Sequence, residues 1–265
     1  MDLIEAAKEG LLETIDDIKK EQDKIDNAFL QAVHNGNASI CKLLIQKGAN
    51  VNATYCGSQT GLMSASFWGF EDICKLLIEN GAVVNAKTYT LETALMKASS
   101  RGNKSICKLL IEKGADVNAK NSYGNSALFE TLGSGCKNFS SIVYDFKLEI
   151  STVLIENGAD VNAKNNVGVC PLMIASLIGH DEICKLLIVN GANVNDIDMK
   201  GQTALKYSLM NAKDWKTKHV CQVLVKNGAI LSEDDKKTLY LNKMGHIVEL
   251  YRFMQRRHLL GAWKW

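Results

Sequence analysis

The chain has 265 residues, of which 46% are hydrophobic and 23% are charged, and its formal net charge is +2. This composition argues against a disordered chain, because it supplies apolar surface for a continuous core and charge for solubility. A charge so close to zero gives no electrostatic indication of a nucleic-acid or membrane partner. The only proline is Pro171, which favours long runs of helix and excludes a proline-rich linker.

Residues 1–25 are predicted to form an N-terminal capping unit. They contain eight acidic residues against four lysines, and the segment 6–12 reads as the end of one helix followed directly by another helix. Asp2 and Glu5 stand where a secretory leader needs positive charge. We therefore expect a cytoplasmic protein in a reducing compartment, with delivery into a host cell as the open alternative.

Residues 26–230 contain an internal repeat with a period of 33 residues. A Gly-Ala dipeptide begins at Gly48, Gly81, Gly114, Gly158, Gly191 and Gly228. A second marker follows the same spacing at Thr60, Thr93, Ser126, Cys170 and Thr203. Two independent positions that share one period indicate stacked structural units, and we count six full or nearly full repeats.

Each repeat is predicted to contain an outer helix and an inner helix. In the outer helix, Ile73, Leu76 and Leu77 lie at i, i+3 and i+4 and form one apolar face before a terminating glycine. The inner helix begins at a capping residue such as Thr93 and also ends in glycine. Polar, glycine-containing segments such as 117–125 join successive repeats as tight turns, which we call fingers.

The motifs Gly-x-Thr-x-Leu-x-x-Ala and Leu-Leu-Ile-x-x-Gly-Ala-x-Val-Asn-Ala resemble those of the ankyrin repeat. The resemblance covers nearly the whole chain and implies an all-α solenoid of stacked helix-turn-helix units with hairpin-like fingers, forming a single domain over residues 1–265. The histidine of the family's Thr-Pro-Leu-His motif is lost throughout, and its proline is kept only at Pro171. The loss predicts looser or differently packed fingers within the same fold.

The fourth repeat is eleven residues longer than the family period, with the insertion at about 133–144. Insertions in a solenoid map to loops on one side, so this segment is a second candidate for a binding site. In the alternative interpretation, Tyr144 and Phe146 only lengthen the outer helix.

Residues 231–265 are predicted to form a C-terminal capping unit. Ser232 is placed to cap its first helix, with Asp235 three residues later. The unit carries seven Lys or Arg residues against four acids. A third candidate, which would contact an acidic or apolar surface, is therefore formed by Arg252, Arg256, Arg257, Trp263 and Trp265. The alternative is a capping helix whose basic side chains only extend along its surface into solvent.

The chain shows no pattern typical of an enzyme or of a metal site. Five of its eight cysteines occupy one position of the outer helix, which indicates a small, half-buried packing residue in a reducing compartment. They are Cys41, Cys74, Cys107, Cys184 and Cys221. The histidines have no zinc-ligand spacing, and phosphate loops and nucleophile elbows are missing. We expect no catalysis, no cofactor and no metal.

The resemblance implies a concave binding surface, built from finger tips and the inner-helix positions just before each glycine. Residues there vary while the framework repeats, and aromatic and arginine side chains most often dominate interface energy. The candidate residues are Phe67, Trp68, Tyr89, Glu92, Arg101, Tyr123, Asn125, Leu177, Ile178, Met199 and Lys200. The alternative is that Phe67 or Trp68 only packs on the adjacent repeat.

These features predict a module that binds another protein, as an adaptor, an inhibitor or a sequestering partner. We expect a monomer with no small-molecule substrate and no membrane partner. The alternative function is binding to nucleic acid or an anionic surface through the basic C-terminal unit. Salt distinguishes the two, because electrostatic binding to nucleic acid weakens steeply as ionic strength rises.

Overall fold

A computed structural model describes residues 12–133, 141–210 and 215–261. The chain divides into two compact units, Met1–Asp116 and Val117–Trp265, and each is described by itself. The described residues are mostly helical with two short strands, so the all-α repeat fold predicted from the sequence is confirmed.

The described residues of the first unit form three pairs of helices. The continuous helix α1 contains the predicted outer helix of the capping unit and the inner helix of the first repeat, without a finger between them. Residues 1–11 of that predicted capping unit lie outside the described residues. The elements are α1 (Leu12–His34), α2 (Ala38–Gln46), β1 (Thr54–Tyr55), a 3₁₀ turn (Cys56–Ser58), β2 (Gln59–Thr60), α3 (Gly61–Trp68), α4 (Glu71–Glu79), α5 (Ala94–Arg101) and α6 (Lys104–Glu112).

The second unit continues the alternation of inner and outer helices. Its elements are α7 (Ala127–Gly133), α8 (Ser141–Glu156), α9 (Pro171–Leu177), α10 (Asp181–Val189), α11 (Ala204–Leu209), α12 (Trp215–Lys226), α13 (Glu233–Leu241) and α14 (Gly245–Gly261). The outer helix α8 has 16 residues against nine in α10, so the end of the insertion lengthens this helix. Residues 134–140 of the insertion lie outside the described residues.

The core consists of the same few positions in every repeat. The apolar face of each outer helix meets the inner helix of its own repeat, and inner helices of neighbouring repeats pack together, as α3 does on α5 and α9 on α11. Burying one such leucine contributes about 1.5 to 3 kcal/mol. One inner-helix position is a leucine at 1% exposure or less in five repeats, namely Leu62, Leu95, Leu128, Leu172 and Leu205, and its outer-helix counterparts are Leu77, Leu110, Leu154, Leu187 and Leu224.

One asparagine per finger joins its repeat to the next. The Asn52 amide nitrogen donates to the carbonyl of Gly81 at 3.1 Å, and its amide oxygen accepts from the backbone N–H of Val83 at 2.8 Å. The same pair of bonds recurs at Asn85, Asn118, Asn162 and Asn195. These five residues, which we call the asparagine ladder, provide partners for backbone groups of the turn that follows each outer helix.

The fingers are also held by short turns and by their neighbours. In the second unit the Asn165 amide oxygen accepts from the backbone N–H groups of Val167 and Val169 at 3.1 and 3.0 Å, and Asp198 forms the same kind of turn. The N–H of Met199 then donates to the carbonyl of Val167 at 3.2 Å. These bonds join neighbouring fingers in repeats that lack the histidine of the family's Thr-Pro-Leu-His motif.

Helix ends follow the predicted pattern. The Thr93 hydroxyl accepts from the N–H of Met96 at 3.3 Å, and α5 ends at Gly102, which adopts φ +86°. This left-handed conformation costs glycine no side-chain clash. The predicted cap at Ser232 is confirmed, since its hydroxyl accepts from the N–H of Asp235 and the Asp235 carboxylate accepts from the N–H of Ser232.

The cysteine position of the outer helices is buried more deeply than the half-buried position predicted. The five thiols are fully covered, because each lies against the inner helix of its repeat. In four repeats a serine hydroxyl of that helix contacts the thiol, as between Ser99 and Cys107 at 3.6 Å. Ser151 takes this position in the fourth repeat, and its buried hydroxyl has no hydrogen-bond partner among the described residues.

Candidate protein-binding surface

The last turns of α3 and α5 bring together three of the predicted binding residues. Trp68 ends α3 and Arg101 ends α5, and each is followed by a glycine in the left-handed conformation. The two side chains therefore occupy equivalent positions in neighbouring repeats. Phe67, one residue earlier in α3, lies between them in the contacts described next.

Arg101 lies on an aromatic cluster. Its guanidinium carbon is 3.9 Å from the ring centroid of Phe67 and 5.8 Å from that of Trp68. The Phe67 and Trp68 rings meet edge to face at 5.1 Å, and His34 meets Trp68 in the same way at 5.7 Å. A cation over an aromatic face is stabilised by about 0.5 to 1 kcal/mol at an exposed site. We call the four residues His34, Phe67, Trp68 and Arg101 the aromatic cluster.

A cleft of about 480 Å³ opens beside the cluster in the first unit. Its walls come from α1, the first finger, α3 and α5. They are formed by Gln31, His34, Tyr55, Gln59, Ser64, Phe67, Trp68 and Lys97. Trp68 retains 48% of its exposure, so the cleft presents an aromatic face to solvent.

His34 and Gln59 occupy variable inner-helix and finger positions of their repeats, but four other residues of this cleft were not predicted from the sequence. Gln31, Ser64 and Lys97 lie three or four residues before His34, Phe67 and Arg101, which places each pair on the same helix face. Helical spacing could therefore have identified all three from the marked positions. The fourth, Tyr55, lies on the finger strand β1 and donates its hydroxyl to the carbonyl of Leu30, a contact that no spacing predicts.

The charges around the cleft differ in how they are compensated. The Lys97 ammonium lies 2.7 Å from the Glu92 carboxylate, which also accepts from the Thr90 hydroxyl. Glu92 is thus an internal partner of Lys97. Arg101 makes no hydrogen bond or ion pair with any residue that the structure describes, so its charge is the uncompensated one.

The finger residue Tyr89 is also at the surface of the first unit. Its side chain is 80% exposed, and its backbone N–H donates to the carbonyl of Gly57 in the preceding finger at 3.1 Å. The finger is therefore fixed while its aromatic ring projects into solvent.

In the second unit, the finger-tip candidates are exposed and the others are partly covered. Tyr123 and Met199 retain 67% and 76% exposure, and Lys200 is exposed. Leu177 and Ile178, at the end of α9, are half-buried. Here the inner-helix end offers less apolar surface than the finger tips.

Asn125 is engaged inside its own unit. Its amide nitrogen donates to the Glu130 carboxylate at 3.0 Å, and its amide oxygen accepts from the amide nitrogen of Asn165 at 3.3 Å. This network fixes two neighbouring fingers, so the half-buried Asn125 has a structural role.

Comparison with known proteins agrees with this architecture. A family model for ankyrin repeats in three copies matches residues 3–88 and 139–235, and a single ankyrin repeat model matches residues 90–122. Together these segments cover well over half of the chain. The chain belongs to the ankyrin repeat family. Ankyrin repeats are in general protein-interaction modules without catalytic activity of their own.

One curated relative of this ankyrin repeat protein is a Plasmodium falciparum (isolate 3D7) protein named as an E3 ubiquitin-protein ligase. The two are 35% identical over 99 residues, a segment that is 35% of this chain. The ankyrin repeat protein spans about 1% of the length of that relative.

Over residues 12–133, 141–210 and 215–261, no group of three potential metal ligands occurs, and no helix is long and apolar enough to cross a membrane.

In the C-terminal unit, Lys236 and Arg252 are paired with Glu233 and Glu249 at 2.5 and 2.7 Å. Trp263 and Trp265 lie outside the described residues.

The buried thiols of the ankyrin repeats are poor nucleophiles. Burial raises the pKa of Cys184 from 9.0 to about 12, and it raises the pKa of Cys107 to about 11. The thiolate is the reactive form, so these groups remain neutral and unreactive near pH 7.

Proposed function

We propose that this chain is a binding module without catalytic activity, which recognises another protein through its finger and inner-helix face. An adaptor, an inhibitor and a sequestering partner all use such a module. We further propose that it acts as a monomer in the reducing cytoplasm. The observation that carries the proposal is the aromatic cluster of the first unit, where Trp68 remains 48% exposed beside a cleft.

The chemistry of the surface supports this proposal. Removing an exposed aromatic ring from water on binding contributes about 25 cal/mol for each Å² of apolar area. The ring of Phe67 is fixed by the guanidinium of Arg101 over its face and by a perpendicular contact with the ring of Trp68. Side chains held in place lose little conformational entropy on binding, which favours their use as interface anchors.

The exposed finger residues support the same role in the second unit. Tyr123 and Met199 project from two fingers, and the backbone of each is hydrogen-bonded to the finger that lies between them. Loops are suited to recognition when a rigid scaffold positions them. We propose that Tyr123, Met199 and Lys200 contact the partner and that Asn125 acts by holding the fingers.

An affinity capture with matched variants tests the proposal. The variant Phe67→Ala/Trp68→Ala/Tyr89→Ala removes the aromatic surface of the first unit. The control Leu43→Ala/Val189→Ala removes exposed apolar side chains of the outer helices, which are 51% and 84% exposed. Circular dichroism checks that both variants remain folded. For a protein captured by the wild type, we expect the aromatic variant to bind at least about 30-fold more weakly, because anchor residues contribute about 2 kcal/mol or more.

Two results would contradict this assignment. Equal binding by the wild type and the aromatic variant would move the site to the fourth-repeat insertion or to the C-terminal unit. Capture of nucleic acid that is released steeply between low and moderate salt would favour the alternative function instead.

A further inference from the structure

We propose that the cleft of the first unit binds an extended acidic segment of the partner protein. A Glu or Asp carboxylate of that segment pairs with Arg101, and a neighbouring apolar side chain packs against Trp68. This inference rests on the proposed function, because it specifies the chemistry of the segment that the finger and inner-helix face receives.

The position of Arg101 provides the carboxylate site. Its guanidinium carbon is held 3.9 Å from the Phe67 ring centroid, while the side chain remains exposed. A guanidinium presents its N–H donors in a planar fork that matches the two oxygens of a carboxylate. Within the described parts of the chain no acceptor takes these donors, so they are available to an outside ligand.

Charge complementarity selects an acidic occupant. The eight residues that line the cleft include no carboxylate, and their one lysine, Lys97, is compensated by Glu92 at 2.7 Å. The uncompensated charge beside the cleft is therefore that of Arg101. A basic segment would meet this charge without a counter-ion, whereas an acidic one would neutralise it.

The aromatic wall selects what stands next to the acid. The Trp68 ring is fixed edge to face against Phe67 at 5.1 Å and against His34 at 5.7 Å, and it is still 48% exposed. Covering this ring requires an apolar side chain of the partner. The guanidinium carbon of Arg101 is 5.8 Å from the same ring, so the acidic and apolar groups must be close in the partner sequence.

Two free amides favour an extended backbone. Gln31 and Gln59 line the cleft, and their side chains make no hydrogen bond to any part of the chain that the structure describes. A primary amide offers both donors and an acceptor, the combination that pairs with the N–H and C=O groups of an extended peptide. A helix would have its backbone groups already occupied.

Selection from a phage-displayed library of random peptides tests the inference. The full chain is the target, and the peptides are fused at their C-terminus to the coat protein, so no terminal carboxylate is present. We expect enriched peptides to carry Glu or Asp next to an aromatic or aliphatic residue. The best peptide and its Glu→Gln counterpart are then synthesised with a blocked C-terminus and measured by fluorescence polarisation.

The expected result is a coupled loss of affinity. Arg101→Gln should weaken binding of the acidic peptide by about 10- to 100-fold, the range for a hydrogen bond to a charged group. Replacing Glu by Gln in the peptide should cause a similar loss, and the two changes together should cost little more than either alone. The control Lys108→Gln removes an equal charge from an exposed position of the outer helix α6 and should leave affinity unchanged. Arg101→Glu should instead prefer the peptide with Lys in place of Glu.

The outcomes separate this inference from the proposed function. Peptides that bind, that are weakened by Trp68→Ala but that show neither acidic enrichment nor sensitivity to Arg101→Gln would overturn the inference and leave the proposed function intact. Enriched peptides that are indifferent to both substitutions would count against the finger and inner-helix face itself. A selection that enriches no acidic sequence overturns the inference in either case.

Discussion

Removing one rung of the asparagine ladder should measurably weaken the first unit. Asn52→Ala deletes the donor to the Gly81 carbonyl and the acceptor for the Val83 N–H, two bonds of 3.1 and 2.8 Å that join consecutive repeats. A net contribution of about 0.5 to 1 kcal/mol for each bond gives a loss of about 1 to 2 kcal/mol. The value per bond is taken from the lower part of the usual range of about 0.5 to 1.5 kcal/mol, because the bonds are exposed and water can replace part of each lost interaction.

Urea unfolding followed by circular dichroism at 222 nm measures this loss as a shift of the midpoint. Asn52→Asp keeps the oxygen acceptor and loses only the donor, so it should fall between the wild type and Asn52→Ala. The control Asn80→Ala removes a side-chain amide that donates only to the carbonyl of Leu76 in its own helix end. It should cost less than Asn52→Ala, because no contact between repeats is lost.

The reasoning would be refuted if Asn52→Ala left the midpoint unchanged. It would also be refuted if Asn80→Ala were as destabilising, because the effect would then follow from removing any exposed amide. A stack of repeats depends on the interfaces between neighbours. An interface bond should therefore matter more than a bond within one helix.

Two further predictions concern the cysteine position of the outer helix. Burial raises the pKa of Cys184 from 9.0 to about 12, so the stabilisation from its neutral thiol is complete below pH 9.0 and is lost as the pH rises towards about 12. Over this pH window the urea midpoint should fall less in Cys184→Ala than in the wild type. Equal falls in the two proteins would contradict the assignment. Ser151→Cys places in the fourth repeat the residue that the other repeats carry and removes a buried hydroxyl without a partner among the described residues. It should raise the free energy of unfolding by about 1 kcal/mol. A lower urea midpoint would show that the hydroxyl is better accommodated than the structure indicates.

Local sequence signals predicted the helices well because each signal acts within a few residues. Thr93 caps α5 and Gly102 ends it, as the pattern indicated. The cap at Ser232 follows from the spacing to Asp235 alone. Such caps depend on the hydrogen bonds of one helix turn, which the chain carries wherever the helix is placed.

Exposure was harder to predict because it depends on the packing around each helix. The cysteine position is fully covered where half-burial was expected, and Leu177 and Ile178 are partly covered at the end of α9. Asn125 has the variability of a contact residue, yet its amide bonds to Glu130 and to Asn165 in the next finger. Variation among repeats identifies positions that are free to change, but it does not say which of them neighbouring fingers use.

The sequence by itself determined the repeat period, the apolar helix faces, the helix ends and the membership of the ankyrin repeat family. Each of these depends on residue types at fixed spacings, and a spacing of 33 residues leaves few alternatives for stacking. The tertiary structure decided which groups meet: Arg101 on Phe67 of the preceding repeat, Lys97 with Glu92, and the Tyr55 hydroxyl with the carbonyl of Leu30. Those contacts join residues from different elements through the rotamers that packing selects, and no pattern along the chain encodes a rotamer.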